Sequence, residues 1–462
     1  MPNYRYETDS LGKVEVKSAA LWGAQTQRSL ENFTIGKETM PRELISAIAL
    51  IKKSAASVHY DLQLMDEEKM QAISHAADEI IEGKWADEFP LKIWQTGSGT
   101  QTNMNVNEVI ANRASELMGG SRGEKFPIHP NDHVNKSQSS NDVFPSAIRI
   151  AALLEIQKRL LPEAEKLSHA FKEKAEKFHP LMKVGRTHLM DAAPISLGQE
   201  FSAFQTHIEQ AIDAIKLSLK NLAELALGGT AVGTGLNTPK DFGPLIAKKI
   251  TEHTETSFTS APNKFASLAG QDALLSTSAA LKRLAALLFK IANDIRFYAS
   301  GPRAGLQEIQ IPANEPGSSI MPGKVNPTQC EAMTMVAIEV MSCEYAISLG
   351  GALGNFDLNV YQPLMGYNVL KAIELLSDGM NSFRKNCVVG ITANEQRLKE
   401  LIDNSLMLAT ALNPVIGYDK AAEVVKKAHK ENISVKKAAL SLGVASEEEL
   451  DKALDPTKMV FR

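Results

Sequence analysis

The chain has 462 residues, of which 44% are apolar and 23% are charged, and its formal net charge is −4. This composition is ordinary for a water-soluble protein, and the length indicates two or three domains. The near-neutral balance provides no basic surface for nucleic acid or for an anionic membrane.

No segment offers roughly 20 uninterrupted apolar residues, and Met1–Arg5 contains no apolar core of a secretion signal. We therefore expect a cytoplasmic protein, although a processed organellar form stays open. Cys330, Cys343 and Cys387 form no C-x-x-C pair, which predicts a reducing compartment and no disulfide framework. Their spacing is wider than that of iron–sulfur motifs, and no zinc-type grouping is present, so no metal is expected.

The first part of the chain, residues 1–138, mixes turn signals with short helical patterns and opens with an expected strand pair between Tyr6 and Val16. Farther on, apolar residues recur at steps of three and four over long spans. The two clearest patterns, from Phe201 to Ala226 and from Leu274 to Tyr298, predict helices of roughly 30 residues with a narrow apolar seam. Further helices are expected from Val143 to Lys177 with an interruption near Pro162, from Pro327 to Ser348, and from Pro363 to Lys385.

These long helices predict a mainly α fold with three domains. Residues 1–138 would form a mixed, mostly helical N-terminal domain, residues 139–395 a central long-helix bundle, and residues 396–462 a small helical C-terminal domain. The apolar surface left on such a bundle is best buried against identical bundles, so a homo-oligomer is expected.

One loop, Gly317–Asn326, carries the strongest functional signal. Its two glycines leave backbone N–H groups accessible to an oxyanion, while Lys324 adds a positive charge. Ser318 and Asn326 add a hydroxyl and an amide within the same short run. The loop is interpreted as one that closes over a carboxylate, and the alternative is a surface turn with an incidental lysine.

Two more polar clusters precede predicted helices. In Thr96–Glu108 a Gly/Ser/Thr loop leads into a helix, and its N–H groups would either receive a helix cap or bind a carboxylate. The order G-x-x-x-x-G-K-[ST] is absent, which argues against a nucleotide-phosphate loop. The segment His129–Asp142 is almost wholly polar, and its last residues, Ser139, Ser140 and Asn141, lie at the next helix start, where they would cap the helix or meet an anion.

The remaining cluster, Gly185–Pro194, contains His188 between Arg186, Thr187 and Asp191. A single histidine is often structural, but histidine is also the side chain best suited to proton exchange near neutral pH. Glu331 falls about one turn into the helix after the Gly317–Asn326 loop, where it would orient a histidine from another segment.

These clusters, in this order, resemble the class II fumarases, the metal-independent members of the fumarase/aspartase superfamily. The resemblance covers essentially the whole chain and rests on Trp94–Asn105, Ser137–Asp142, Gly185–His188 and Gly317–Asn326. It implies a three-domain fumarase/aspartase-like fold whose central bundles form a twenty-helix core in a homotetramer, with each active site shared among three subunits. It also implies reversible hydration of fumarate to L-malate, as in the tricarboxylic acid cycle, with no cofactor and no metal.

Aspartate ammonia-lyase is the alternative within the superfamily. Relatives that act on aspartate usually have alanine where this chain has Gly323, and they lack the continuation Thr328-Gln329. They also tend to read G-A-G-T-S-T-N-M-N where this chain has Gly97–Asn105. Both differences favour fumarase. A rival of another class is a non-catalytic helical scaffold, because superfamily members have been recruited as lens proteins.

The resemblance also implies roles for individual residues. Ser318 resembles the family's base, which works only if its alkoxide is stabilised, by backbone N–H groups and Lys324. His188, supported by Glu331, looks like the acid/base on the hydroxyl side and would act through a water. Substrate would be bound by Ser98, Gly99, Thr100, Ser139, Ser140, Asn141, Thr187, Ser319, Lys324, Val325 and Asn326. A second anion site would lie at His129, Pro130, Asn131 and Asp132, although several relatives carry a basic residue where this chain has Phe126.

Overall fold

The computed structural model describes residues 4–461 and is mainly helical. The α-helices of the described residues are α1 Ala24–Asn32, α2 Arg42–Asp61, α3 Glu67–Ile81, α4 Thr100–Leu117, α5 Ser140–Glu155, α6 Leu161–Phe178, α7 Leu197–Leu222, α8 Phe242–Thr254, α9 Lys264–Ala269, α10 Asp272–Tyr298, α11 Thr328–Ala352, α12 Gln362–Asn386, α13 Glu395–Asp403, α14 Asn413–Ile416, α15 Tyr418–Glu431, α16 Val435–Ser441, α17 Glu447–Ala453 and α18 Pro456–Val460.

The strands of the described residues form short two-stranded pairs. Antiparallel pairing joins β1 Tyr4–Asp9 with β2 Gly12–Lys17, β3 Met182–Thr187 with β4 Met190–Ser196, and β7 Ile309–Gln310 with β8 Thr392–Ala393. Parallel pairing joins β5 Glu224–Leu225 with β6 Thr259–Ser260. The strand pair expected between Tyr6 and Val16 is therefore confirmed as β1 and β2.

The expected long helices are present at the predicted places. Helices α7 and α10 have 26 and 27 residues, slightly fewer than the roughly 30 expected. Helix α11 begins directly after Pro327, and α12 matches the pattern from Pro363 to Lys385. The short helices expected after residue 395 are α13 to α18.

The expected interruption near Pro162 takes the form of a π-helical turn. Helix α5 passes through Ile156–Leu160, which is π-helical, into α6 without a break in the helical path. Proline has no N–H to donate and its ring crowds the carbonyl four residues earlier. A π turn just before Pro162 relieves that crowding because it widens the helix locally.

Helix α2 was not predicted, since only short helical patterns were expected before residue 139. It runs for 20 residues, and its buried face includes Lys52, Ser54 and His59. Polar residues on a buried face break the apolar period on which the prediction depended.

Close contacts divide the chain into two compact units. Unit 1 comprises residues 1–162, 213–285 and 338–377, and unit 2 comprises residues 163–212, 286–337 and 378–462. In unit 1, α2 packs against α3, α5 and α8. In unit 2, α13 packs against β3, and Lys174 on α6 donates hydrogen bonds to the carbonyls of Val389 and Ile391. This division follows spatial contacts, and the three-domain division at 138/139 and 395/396 stays a prediction.

Among the described residues, α11 alone is long and apolar enough to cross a membrane by length and composition. It also carries Glu331, Glu339 and Glu344, and soluble core helices satisfy the same criterion. One side of α11 is buried in its own chain. The other side exposes a row of apolar side chains at successive steps of three, seven and four residues, namely Met335, Ile338, Tyr345 and Leu349.

Candidate active site

In unit 1 the Thr96–Glu108 cluster lies at the start of α4. Gly99 is the residue before the helix, with a left-handed φ of 71°, and the hydroxyls of Ser98 and Thr100 are 2.8 Å apart. A Cβ at Gly99 would lie 2.3 Å from the ring of Phe144 on α5, so only glycine permits this close packing. Asn103 donates a hydrogen bond of 3.1 Å to the Ser140 hydroxyl. The structure therefore brings the Ser98–Thr100 and Ser139–Asn141 clusters together.

The start of α5 is capped by its own residues. The Ser139 hydroxyl accepts a hydrogen bond from the Asn141 N–H, and Asp142 accepts one of 2.9 Å from the Ser139 N–H. The side-chain amide of Asn141 donates to the carbonyl of Ala231 at 2.8 Å. Capping of the helix and binding of an anion, the two alternatives predicted for this segment, are therefore compatible. A hydroxyl that accepts the capping hydrogen bond still has its own proton to donate to an anion.

Asp142 connects this helix start to a loop that was not predicted from the sequence. Its buried carboxylate accepts hydrogen bonds from the N–H groups of Gly228 (3.0 Å) and Thr230 (2.9 Å). Burial raises the pKa of Asp142, an effect that its hydrogen bonds with backbone N–H groups oppose. The loop 228–237 is rich in glycine and threonine, as is the Thr96–Thr100 loop. This shared composition could have identified the loop 228–237 from the sequence.

Behind the same helix start lies Lys52, which is wholly buried and was also not predicted. Its ammonium donates to the side-chain oxygens of Asn135 (2.9 Å) and Gln138 (3.0 Å). Burial lowers the pKa of Lys52 to about 7, against the opposing effect of the Asp142 charge. Lys52 thus ties α2 to the segment that leads into Ser139–Asn141.

The predicted second anion site lies in a short π-helical turn, Pro130–Val134, in unit 1. The N–H groups of Asn131 and Asp132 both point at Nδ1 of His129, at 3.1 and 3.2 Å. Phe126 is 71% exposed nearby in the sequence. A cavity of about 200 Å³ borders His129, Pro130 and Asn131, and its lining includes Lys125 and the carboxylates of Glu7, Asp9 and Glu108.

In unit 2 the hairpin of β3 and β4 carries Thr187 and His188. Thr187 pairs with Met190, so the hairpin tip is His188-Leu189, and both tip residues have left-handed φ angles of 57° and 61°. Thr187 and His188 are exposed. The imidazole of His188 has no hydrogen-bond or ion-pair partner within the described residues 4–461.

The loop Gly317–Asn326, also in unit 2, closes on itself. The Gly317 N–H donates to the Lys324 carbonyl at 2.8 Å, and the Asn326 amide donates to the Gly317 carbonyl at 2.7 Å. Ser318 Oγ accepts hydrogen bonds from the N–H groups of Ile320 (3.2 Å) and Met321 (3.0 Å). Two backbone donors on one oxygen stabilise negative charge there.

Lys324 and Glu331 complete the predicted set in unit 2. The Lys324 ammonium donates to Asn326 Oδ1 at 2.6 Å, so its hydrogen bond goes to the amide rather than to Ser318. Glu331 lies exposed in the first turn of α11, and its carboxylate has no partner in the part of the chain that the structure describes. Ser319 and Val325 lie exposed in the loop.

Residues 4–461 contain no group of three or more His, Cys, Asp or Glu side chains arranged to hold a metal ion. Cys330, Cys343 and Cys387 are free and buried thiols. Burial raises the pKa of Cys343 to about 11, which keeps this thiol protonated at neutral pH.

Comparisons with known proteins agree with these motifs. The sequence matches the lyase family over residues 12–342 and the fumarase C C-terminus family over residues 408–460. Fumarate hydratase class II of Nitrosomonas europaea is 56% identical, with 99% of each chain covered. That of Yersinia pestis is 55% identical, with 100% of this chain and 99% of the relative covered.

Comparison with solved structures agrees with the sequence matches. A class II fumarase from Schistosoma mansoni superposes with a TM-score of 0.96 at 43% identity, covering 99% of each chain. A fumarate lyase:delta crystallin from Brucella melitensis bound to cobalt superposes with a TM-score of 0.95 at 40% identity, covering 99% of this chain and 100% of that one. From motifs, sequence and fold together, the chain belongs to the class II fumarate hydratase family of lyases.

Proposed function

We propose that this protein is a fumarate hydratase that interconverts fumarate and L-malate by acid/base catalysis through an aci-carboxylate intermediate. The observation that carries the proposal is Ser318, whose oxygen accepts hydrogen bonds from two backbone N–H groups in the loop that also contains the paired Lys324 and Asn326. A hydroxyl becomes an effective base only when its alkoxide is stabilised, and this loop supplies the donors.

In the direction from malate to fumarate, Ser318 removes a proton from the carbon beside one carboxylate. The electron pair of that C–H bond moves into the carboxylate and gives the aci-carboxylate, and Lys324 and Asn326 stabilise the added charge. The Ser98–Thr100 and Ser139–Asn141 clusters, at two helix N-termini, contribute further N–H and hydroxyl donors. Ser319 and Val325, in the same loop as Lys324 and Asn326, also contact the substrate in this scheme.

His188 then protonates the departing hydroxyl from the opposite side, through a water that Thr187 helps to hold. Glu331 keeps the imidazole oriented. Both groups are unpartnered in the described chain, as expected if they meet only when subunits associate. No cofactor or metal has a step in this scheme, since the proton transfers and charge stabilisation fall to side chains and backbone.

We further propose a homotetramer whose active sites are shared among three subunits and whose central helices form a twenty-helix core. The support is the exposed row Met335, Ile338, Tyr345 and Leu349 on α11, with Met335 and Tyr345 each 65% exposed. Its spacing resembles the seam of a coiled coil, and an apolar seam of that kind is buried by another helix. We place the enzyme in the cytoplasm, as a component of the tricarboxylic acid cycle.

The segment His129–Asp132 is proposed as a second anion site. To bind there, an anion would have to replace Nδ1 of His129 as the acceptor of the hydrogen bonds from the N–H groups of Asn131 and Asp132. The nearby carboxylates of Glu7 and Asp9 and the replacement of a basic residue by Phe126 predict weak binding.

The proposed activity is tested by ultraviolet absorbance of the fumarate double bond, with L-malate and L-aspartate offered separately. We expect turnover of malate and none of aspartate. Turnover of aspartate alone would identify an ammonia-lyase, and failure with every dicarboxylate would revive the scaffold alternative.

Shared active sites are tested by complementation. Inactive His188→Asn and Ser318→Ala proteins are mixed under conditions of verified subunit exchange, and each is also exchanged with itself as the control. Mixed tetramers should regain part of the wild-type activity, because some sites then combine an intact His188 with an intact Ser318. Zero recovery in the mixture would count against sites built from several subunits.

A further inference from the structure

The hairpin tip that presents His188 has no support of its own. His188 and Leu189 both adopt left-handed φ angles, which non-glycine residues rarely take outside tight turns. Leu189 is 82% exposed and packs on little of its own chain. In a two-residue hairpin loop both central residues commonly take φ > 0, and the pairing of β3 with β4 holds them there, so the orientation of the tip depends on how the base of the hairpin is held.

At that base, two cations of β3 converge on one buried carboxylate. Arg186 Nη2 lies 2.8 Å from Glu308 Oε1, and Lys183 Nζ lies 3.3 Å from Glu308 Oε2. Lys183 and Glu308 are fully buried. Residues three apart in a regular strand point to opposite faces, but a bulge between Val184 and Arg186 turns both side chains to one side.

Glu308 is itself fixed by its backbone. Its N–H donates to the Tyr298 carbonyl at 2.8 Å, at the end of α10, and its carbonyl accepts a hydrogen bond of 2.9 Å from the Asn394 N–H, just before α13. The backbone of Glu308 is therefore fixed between α10 and α13. The hairpin that its carboxylate holds also packs through β3 against α13, but the Arg186–Glu308 ion pair is the contact that lies next to the tip in sequence.

The cluster is also balanced in charge. Lys183 donates to Glu200 Oε1 at 3.0 Å and lies 4.7 Å from the centre of the Tyr298 ring. Two carboxylates, Glu200 and Glu308, thus face two cationic side chains, and buried charges are tolerated only when they are paired in this way. Arg186 directly precedes Thr187 and His188 in the sequence, so its contact with Glu308 is the one nearest to the hairpin tip.

We propose that Glu308 is a positioning residue, which acts through Arg186 to hold the hairpin tip in the orientation that presents Thr187 and His188 to substrate. The inference rests on the proposed function insofar as His188 is the acid of the reaction. It adds a residue that does not touch substrate but sets the geometry of one that does.

Two double variants separate positioning from simple stability. Lys183→Met with Glu308→Met removes one charge of each sign and breaks the anchor of Arg186. Lys183→Met with Glu200→Met also removes one charge of each sign but leaves Arg186 on Glu308. Both preserve side-chain volume and charge balance, so the second variant is the matched control for the first.

We expect the Glu308 double variant to lose about 10- to 100-fold in kcat for malate, with KM changed far less, because a misplacement of about 1 Å costs this much. The Glu200 double variant should stay within a few-fold of wild type. Amide hydrogen exchange of the segment 184–191 should accelerate in the first and not in the second. Equal kcat values and equal exchange in the two variants would overturn the proposal.

If the Glu308 double variant does not fold, Glu308→Asp decides the question, since it keeps the charge and withdraws the carboxylate by about one bond length. Wild-type kcat and wild-type exchange in Glu308→Asp would then overturn the proposal. The exchange measurement does not depend on the reaction, so it remains valid if the wild-type protein fails to turn over malate. In that event the proposed function fails while the anchoring of the hairpin is still tested.

Discussion

Substitution of Gly97 by alanine tests whether the loop before α4 is held in place by backbone contact. A Cβ at Gly97 would lie 1.5 Å from the carbonyl oxygen of Val360. The Gly97 carbonyl in turn accepts a hydrogen bond of 3.0 Å from the Gln362 N–H. Both neighbours are backbone groups at the start of α12, so no flexible side chain can move aside.

The size of the disturbance follows from these distances. Real Cβ atoms essentially never approach another heavy atom closer than 3.0 Å, so Gly97 and Val360 must separate by at least about 1.5 Å. Ser98 follows directly in the chain and Thr100 begins the helix two residues later, so both hydroxyls are displaced with Gly97. A shift of about 1 Å in positioning groups typically costs about 100-fold in rate, so we expect kcat/KM for malate to fall by about that factor.

The assay is the initial rate of fumarate formation, recorded with the thermal unfolding temperature of the same preparation. Gly119→Ala is the matched control, since Gly119 follows the other end of α4 and a Cβ there meets nothing within 4 Å. Its left-handed φ of 82° makes alanine cost about 1 kcal/mol of stability, without displacing the site. A Gly97→Ala protein with wild-type kcat/KM and an unchanged unfolding temperature would refute the reasoning.

Three further predictions concern catalysis, assembly and stability. Ser318→Ala should lower kcat by at least about 1000-fold, because the base is lost, with wild-type circular dichroism and assembly; an unchanged kcat removes Ser318 from the mechanism. Ile338→Asp puts a charge into the exposed apolar row of α11 and should dissociate the tetramer in light scattering, whereas an intact tetramer would argue against that interface. Burial lowers the pKa of His59 in the folded protein to about 4, whereas the same histidine keeps its ordinary pKa near 6.5 in the unfolded chain. Between these values the unfolded protein binds more protons than the folded one, so the free energy of unfolding falls as the pH falls from 6.5 to 4. His59→Leu should reduce that loss by about 3 kcal/mol in denaturant titrations at pH 6.5 and pH 4, and identical pH dependence in both proteins would contradict the pKa shift.

The sequence predicted the parts of the site that depend on local order. Gly317–Asn326 forms its loop through hydrogen bonds within ten residues, and Ser139–Asp142 caps its own helix. Interactions this short are set by neighbouring residue types, so a motif predicts them. The long helices were predictable for the same reason, since their apolar period is a local property of the chain.

The sequence did not predict the residues that support the site from a distance. Lys52 meets Asn135 across more than eighty residues, and Glu308 meets Arg186 across more than one hundred. Neither contact follows from a local pattern, and a buried lysine in a helix even obscured the prediction of α2. The bulge that turns Lys183 and Arg186 to one side also lies outside any periodic rule.

The sequence by itself determined the family, the long helices and the chemical groups available for a reaction on a dicarboxylate, because these depend on residue type and local spacing. Only the tertiary structure decided which buried charges stand behind those groups, which N–H groups reach Ser318 and Asp142, and which apolar face of α11 is left exposed. Such contacts depend on where distant segments of the folded chain meet, and chain order does not specify that meeting.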